Sequence, residues 1–264
     1  MELRTLGRTG IAVSALGLGT VKLGRTQGLK YPRPFELPSD ELARGLLRTA
    51  QDSGVNYIDT APAYGTAEER LGTLLAGERD RWVISTKFGE TFEAGFSTFD
   101  FSPAAMRASL ERSLRRLRTS YIDLLLVHSD GVIESALPDD LVAAMGLARE
   151  QGLVRAIGMS SKTPAGGLAA LGWADVLMLT LNPGARADEP VIAAAAAAGL
   201  GVVVKKALLS GHVGGGGPTA ADCLGLALGT PGVSSVVVGT ASAENLQTNA
   251  RLVDEILSAK PPGR

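Results

Sequence analysis

Four side chains in this sequence are suited to moving a proton onto a carbonyl oxygen: Asp59, Tyr64, Lys87 and His128. Each stands at or just beyond the end of a short apolar, β-branched run. Residues 55–58 precede Asp59-Thr60-Ala61-Pro62-Ala63-Tyr64-Gly65, residues 82–86 precede Lys87, and residues 122–127 precede His128-Ser129. A phenol with an unperturbed pKa near ~10 is a poor acid at neutral pH, and a neighbouring ammonium lowers that pKa by stabilising the phenolate. Lys87 can supply the charge, Asp59 can hold Lys87 protonated, and His128 can orient or polarise the carbonyl while Tyr64 donates. Plainer roles are open to each residue. Asp59 and Lys87 can form a structural ion pair, Tyr64 an aromatic rim, and His128 a hydrogen-bonded core histidine. Their joint placement favours the chemical reading, since all four follow strand-like runs and the chain has only 2 His and 4 Tyr to place.

The elements that must position these residues follow from the hydrophobic pattern. Short apolar runs recur at 15–18, 55–58, 82–86, 122–127, 154–157, 175–181, 201–204 and 235–238. Stretches of helical period alternate with them at 39–52, 67–75, 103–117, 139–150, 163–171, 188–198, 219–228 and 242–258. Ser102-Pro103 and Thr163-Pro164 each set a capping hydroxyl before a proline at the first helical position, an independent start signal. Repeated strand-helix units return the chain to the same strand direction, so this pattern predicts a parallel sheet closed into a (β/α)8 TIM barrel of the α/β class. An open doubly wound sheet is the competing architecture, but no Gly-x-Gly-x-x-Gly turn opens a first helix to support it. Ahead of the first strand, residues 3–6 and 11–14 flank Gly7-Arg8-Thr9-Gly10, predicting an N-terminal β-hairpin able to plug the barrel's N-terminal end. In such a barrel the active site lies at the C-terminal ends of the strands, where the four residues fall.

Composition narrows the function further. Among 264 residues, 26 Lys and Arg against 27 Asp and Glu leave a net charge of −1. That balance gives no electrostatic ground for a nucleic-acid or membrane partner, and the arginines at 107–118, with Glu111 among them, read as a solvated helix face. With 45% hydrophobic and 20% charged residues the chain has the composition of a globular protein, and its length suits one barrel domain over 1–264. A lone Cys223 excludes an internal disulfide framework, and no His, Asp and Glu spacing suggests a metal. No apolar stretch reaches the roughly 18 residues of a membrane span, and no signal-peptide pattern is seen, so a cytoplasmic enzyme is expected. The glycine run 214–217 predicts a mobile loop, His212 beside it an exposed side chain, and residues 260–264 a fraying tail.

Asp59-Thr60-Ala61-x-x-Tyr64-Gly65 resembles the most specific motif of the aldo-keto reductases. The segment Leu110-x-x-Ser113-Leu114-x-x-Leu117 through Tyr121-Ile122-Asp123-Leu124 to His128 resembles a second. Ile84-Ser85-Thr86-Lys87 is similar to the family's lysine strand, and residues 154–160 to its fifth strand, with the motifs in family order from the hairpin to Asn249. The resemblance implies hydride transfer between a nicotinamide cofactor and an aldehyde or ketone. It makes Tyr64 the general acid, Lys87 and Asp59 the groups that tune it, and His128 the group that orients the carbonyl.

The resemblance also implies cofactor contacts. Gly19, Thr20 and Asp59 are among them, and Ser160 matches the serine that holds the nicotinamide carboxamide, with Ser161 where an asparagine is usual. Asn182 matches the asparagine after the sixth strand, with Met178 in place of a glutamine. Lys205 stands where an aromatic ring usually stacks on the nicotinamide. Lys206-Ala207-Leu208-x-Ser210 resembles the pyrophosphate loop, with Lys206 replacing a hydroxyl residue. Gly239, Thr240, Ser242, Asn245 and Asn249 fall in a segment that resembles the reader of the adenosine end. NADP is the family's usual cofactor. NAD stands beside it, because Gly239 and Asn245 occupy positions where many members carry basic residues for the 2′-phosphate, and neutral donors hold a phosphate less strongly. Thr240, Ser242 and the helix N-terminus still offer donors.

Substrate recognition is less determined. Phe88, Phe92, Phe96, Phe99 and Phe101 follow the third strand, predicting either an aromatic pocket wall or rings that pack the loop onto the barrel. Residues 21–38 predict a second wall, in which Lys22, Arg25, Lys30 and Arg33 would draw in anionic substrates, or else a solvated loop. The extended C-terminal loop that shapes specificity in many members is expected to be short. Two other functions fit a barrel with these residues. One is a Schiff-base aldolase or lyase with Lys87 or Lys205 as nucleophile. The other is a regulatory subunit that binds nicotinamide cofactor and reports redox state. The set Ser160, Asn182, Leu208, Ser210 and Asn249, which an aldolase does not need, favours the reductase.

Overall fold

The computed structural model describes residues 1–259; the fraying tail expected at 260–264 lies outside the described residues. The chain opens with an antiparallel hairpin of β1 (Leu3–Thr5) and β2 (Ala12–Ser14). β3 (Leu16–Gly19), α1 (Asp40–Asp52), β4 (Tyr57–Asp59), α2 (Ala67–Leu74) and β5 (Val83–Phe88) follow. A second hairpin, β6 (Glu90–Glu93) with β7 (Phe96–Phe99), precedes α3 (Pro103–Leu117). Next come β8 (Ile122–His128), α4 (Asp139–Glu150), β9 (Val154–Ser160), α5 (Pro164–Ala169), β10 (Val176–Thr180) and α6 (Glu189–Ala197). The described chain ends with β11 (Gly201–Lys205), α7 (Ala220–Gly229), β12 (Val233–Gly239) and α8 (Ala243–Ser258). β3, β4, β5, β8, β9, β10, β11 and β12 close into a parallel barrel, the (β/α)8 architecture that the alternation of elements predicts. No helix among the described residues is long and apolar enough to cross a membrane.

Local chemistry sets the helix starts. The hydroxyls of Ser39, Ser102, Thr163, Thr219 and Ser242 each accept from the backbone N–H three residues on. Each satisfies a donor that the first helical turn leaves open, worth about 1 kcal/mol. The predicted stretch 163–171 divides, since α5 tightens after Ala169 into a 3-10 turn over Ala170–Gly172.

The core has two layers, and the period-two alternation of strands separates them. Inside the barrel Tyr57, Val83, Leu124, Leu126, Ala156, Val176, Met178 and Val203 meet one another, while Leu6, Ile11 and Val13 of the hairpin close the N-terminal end from below. The intervening residues, such as Ile58, Ile84, Leu125, Ile157, Leu177 and Val202, face outward into the helical shell. At the hairpin turn Gly7 adopts φ +51°, and a Cβ there would lie 2.4 Å from the Gly199 carbonyl oxygen. Glycine is what lets the plug seat against the barrel's lower rim.

Continuing the inward phase up each strand generates the site. Inward Tyr57 is followed by Asp59, Val83 by Ser85 and Lys87, Leu126 by His128, Ala156 by Gly158 and Ser160, and Val203 by Lys205. The lower steps are apolar and the top step is polar or charged, so one register fixes both core and site. The step at Gly158 is also a close approach of β9 to β10, because a Cβ there would meet the Val176 carbonyl oxygen at 1.8 Å. Gly158→Ala must part the two strands, and a loss of about 3 kcal/mol is expected, at the upper end of overpacking costs. Thermal unfolding followed by circular dichroism measures it; an unchanged melting temperature would contradict the proximity.

Candidate active site

A hydrogen-bonded chain runs through the polar top of the barrel. Tyr57 Oη donates to Ser85 Oγ (3.0 Å), and Ser85 Oγ donates to Asp59 Oδ1 (2.7 Å). Lys87 Nζ donates to both Asp59 oxygens (2.7 and 2.8 Å) and to the Thr60 carbonyl (2.9 Å), and lies 3.3 Å from Tyr64 Oη. Tyr64 reaches this point because the chain leaves β4 through a 3-10 turn over Pro62–Tyr64, ended by Gly65 at φ +62°. The Tyr64 and His128 rings meet edge to face with centroids 6.1 Å apart. The structure therefore brings Asp59, Tyr64, Lys87 and His128 to one end of one cavity.

The electrostatics depart from simple expectation in one respect. Burial works against the Lys87 charge, yet Asp59 and then Tyr64 overcome it and raise the Lys87 pKa above the ordinary lysine value. Burial likewise pushes the Tyr64 phenol upward, and here the opposing pull of Lys87 does not win, so its pKa rises where the ammonium alone predicts a fall. Tyr64 thus holds its proton firmly at neutral pH, with a cation placed to receive the phenolate.

Glu90, at the start of β6, is a site residue that sequence reasoning missed. Its Oε2 lies 2.9 Å from His128 Nδ1, off the line of a well-aligned N–H donor, so the contact becomes an ion pair only when His128 is protonated. Burial favours protonated Glu90, but His128, with Ser97 and Arg25, holds it down at about 2. Burial in turn lowers the His128 pKa, against the pull of Glu90. Nothing at position 90 signals this in one dimension; it depends on β6 folding back across the mouth.

The cavity, about 1040 Å³, extends from the four residues across the mouth to α8. That is at the upper end of ligand sites, roughly 300–1,000 Å³. Gly19, Thr20, Ser160, Lys205, Lys206, Leu208 and Ser210 line it, as do Gly239, Thr240, Asn245 and Asn249. Two expected cofactor residues do not line it. Asn182 instead ties its own turn, donating to the Lys206 carbonyl (3.0 Å) and accepting from Gly184 N–H (3.0 Å). Ser242 spends its hydroxyl as the α8 cap. The segment after β11 is held in left-handed backbone at Lys206, Leu209 and Ser210 (φ +56°, +49° and +55°), a conformation L-residues seldom adopt and one that gathers at ligand clamps.

The walls also differ from expectation. None of the five phenylalanines Phe88, Phe92, Phe96, Phe99 and Phe101 lines the cavity. Phe88 is buried in the core, Phe92 stacks under the Arg25 guanidinium (3.3 Å), Phe99 stacks with Phe101, and Phe96 is exposed, so the rings build and cover the β6–β7 hairpin. The opposite wall forms in part: Lys22, Tyr31 and Arg33 of the loop 21–38 line the cavity, with Lys22 Nζ 3.9 Å from the Tyr31 ring centre, whereas Lys30 does not line it and Arg25 is turned to the Ala63 carbonyl and Glu90. Tyr31 covers Gly239, where a Cβ would lie 2.6 Å from the tyrosine hydroxyl.

Residues 15–222 match the Aldo/keto reductase family. The chain belongs to that family. A solved structure from Pseudomonas aeruginosa, described as a candidate aldo-keto reductase, is 46% identical, with a TM-score of 0.88 over 97% of this chain and 96% of that one. A D-threo-aldose 1-dehydrogenase from a Pseudomonas species is 34% identical over 58% of this chain and 51% of its own length. An L-galactose dehydrogenase of Arabidopsis thaliana is 32% identical over 61% of this chain and 48% of its own. The match thus spans about half the length of these two curated relatives.

Within this site, the Glu90–His128 contact predicts a titration. Glu90→Gln removes the carboxylate that stabilises the imidazolium, so the His128 pKa, already below the ordinary 6.5 in the native protein, should fall further. Long-range 15N NMR of the imidazole across pH measures both; a rise in the variant would show that Glu90 does not face His128 in solution.

Proposed function

We propose that the protein is an NAD(P)H-dependent oxidoreductase that reduces an aldehyde or ketone to the alcohol, or runs the reverse reaction. The observation that carries this reading is the Asp59–Lys87–Tyr64 chain at one end of a cavity large enough for a dinucleotide beside a small substrate. The cofactor, when bound, supplies or accepts the hydride. Tyr64 Oη donates a hydrogen bond, then the proton, to the carbonyl oxygen. Lys87 stabilises the phenolate left behind from 3.3 Å, and Asp59 keeps Lys87 charged although it is buried. His128, uncharged because of its burial, bounds the carbonyl site on the β8 side, with Nδ1 turned to Glu90 and Nε2 left for the ligand.

The residues present fit a dinucleotide. The segment after β11, with left-handed residues at Lys206, Leu209 and Ser210, offers backbone of the kind that forms anion-binding nests for a pyrophosphate, and Thr240, Asn245 and Asn249 line the far end. Charge favours NADP(H) over NAD(H). The cavity wall carries Lys22, Arg33, Lys162, Lys205 and Lys206, whereas its one carboxylate, Asp59, is committed to Lys87. With Gly239 covered by Tyr31, Lys22 and Arg33 take the place of basic residues at 239 and 245. Small carbonyl compounds are the substrate class we infer, and the relatives named D-threo-aldose 1-dehydrogenase and L-galactose dehydrogenase support sugars as members of it.

Tyr64→Phe removes the acid and leaves the ring. Reduction of an aldehyde panel should fall by about 10²-fold or more in kcat, as expected when general acid catalysis is lost, while the affinity for NADPH measured by fluorescence titration stays within error. Full turnover in the variant would remove Tyr64 from the mechanism, and absence of binding by either NADPH or NADH would remove the oxidoreductase reading.

A further inference from the structure

Lys205 has no part in the proton transfer described above. Its place on the last inward step of β11 brings its ammonium to the cavity, where Nζ donates to Ser160 Oγ (2.8 Å) and the Ser161 carbonyl (2.6 Å). Both partners are neutral, and none of the ion pairs among the described residues includes Lys205. The charges facing it come from every side of the mouth. Lys206 follows it, Lys87 stands across the barrel on β5, and His128 on β8 feels its charge; Glu134 from the loop after β8 and Asp188 ahead of α6 attract it. Burial, then Lys206 and Lys87, bring its pKa down to about 7.

This amine, hydrogen-bonded only to neutral oxygens, lies on the wall that a nicotinamide ring would face. Tyr64 Oη fixes the carbonyl oxygen, and a hydride crosses only a near-contact distance, roughly 3–3.5 Å between reacting atoms. The ring must therefore span the mouth from Tyr64 to the facing wall, which is formed by Ser160, Met178 and Lys205. The oxidised ring is a cation and the reduced ring is neutral.

We propose that Lys205 is a redox-state selector: its ammonium disfavours the oxidised, cationic nicotinamide and tolerates the reduced one, so the site holds reduced cofactor in preference and the preference is set by pH. The inference rests on the nicotinamide reading of the site. The sign follows from linkage. Below pH 7 Lys205 is charged and oxidised cofactor binds against it; above pH 7 the amine is neutral and the penalty disappears, so binding of the oxidised form near pH 7 releases a proton. Lys206, beside the concave backbone edge, acts alike on both redox forms and cancels from the ratio of their affinities.

The test is calorimetric and fluorimetric titration of the protein with NADPH, NADP+, NADH and NAD+ at pH 6 and pH 8.5, without carbonyl substrate. The ratio of dissociation constants, oxidised over reduced, should be several-fold larger at pH 6 than at pH 8.5, rising to about tenfold if the charged amine excludes the oxidised form altogether, and at pH 7 the oxidised form should release protons, read from heats in buffers of different ionisation enthalpy. Lys205→Met should give a low ratio at both pH values, and Lys205→Arg a high ratio at both. A native ratio that does not change with pH overturns the proposal, as does a pH-dependent ratio that survives in Lys205→Met, which would assign the titration to His128. Failure of every cofactor to bind would instead overturn the oxidoreductase reading.

Discussion

The organisation of the mouth depends on one buried ion pair, Lys87 with Asp59. An ammonium 1% exposed on β5 is tenable only because both carboxylate oxygens and the Thr60 carbonyl satisfy its three N–H donors. Such a pair is weak evidence for stability, since desolvation offsets much of the attraction, but losing one partner would strand a buried charge at about 3–5 kcal/mol. The pair consequently constrains its neighbours. Ser85 and Tyr57 are turned inward to saturate Asp59, and the Tyr64 hydroxyl, which lines the cavity, lies 3.3 Å from the Lys87 ammonium.

With Asp59 committed to Lys87, the rest of the mouth is left electropositive. Lys205 and Lys206 extend β11 into the cavity, while Lys22 and Arg33 approach from the loop 21–38. The nearby acids are engaged elsewhere. Glu90 faces His128, and Glu134 accepts from the Lys162 and Thr163 backbone N–H groups and so holds the exit from β9. A protein with an overall charge of −1 therefore presents a locally cationic basin, and low-dielectric walls focus such a field on an incoming anion. The near-zero net charge carried no information about this basin.

What was legible in the sequence is what depends on local period and on the ends of strands. Asp59, Lys87, His128, Ser160 and Lys205 could be placed because each continues an inward alternation that the apolar residues below it already define. The five phenylalanines show the limit. Their clustering after β5 is plain, but which face they cover depends on Glu90 pairing with Phe99 in a hairpin register that no local propensity specifies. Asn182 shows another limit: its position matches the family, while its amide is used by the Lys206 carbonyl and its own turn. Glu90 and Tyr31 were invisible for a third reason. Each acts through a partner, His128 and Gly239, that long loops bring near only after the barrel has closed.

The contacts divide the mouth into a part fixed by barrel register and a part carried on loops. The proton-transfer chain rests on consecutive inward steps of β4 and β5, buried and fixed by barrel register. The groups that would meet the cofactor's charges sit on segments with little such support: the loop 21–38, which touches the segment after β11 through His212 Nε2 and the Lys30 carbonyl (3.2 Å), and the left-handed residues at 206–210. Lys205 lies between these regimes, with its backbone in the rigid barrel and its ammonium paired only to neutral oxygens. Lys205 shares no hydrogen bond with the Asp59–Lys87 pair and feels Lys87 only through its charge, so the field on the β11 wall of the cavity and the hydrogen-bonded chain between β4 and β5 rest on different contacts.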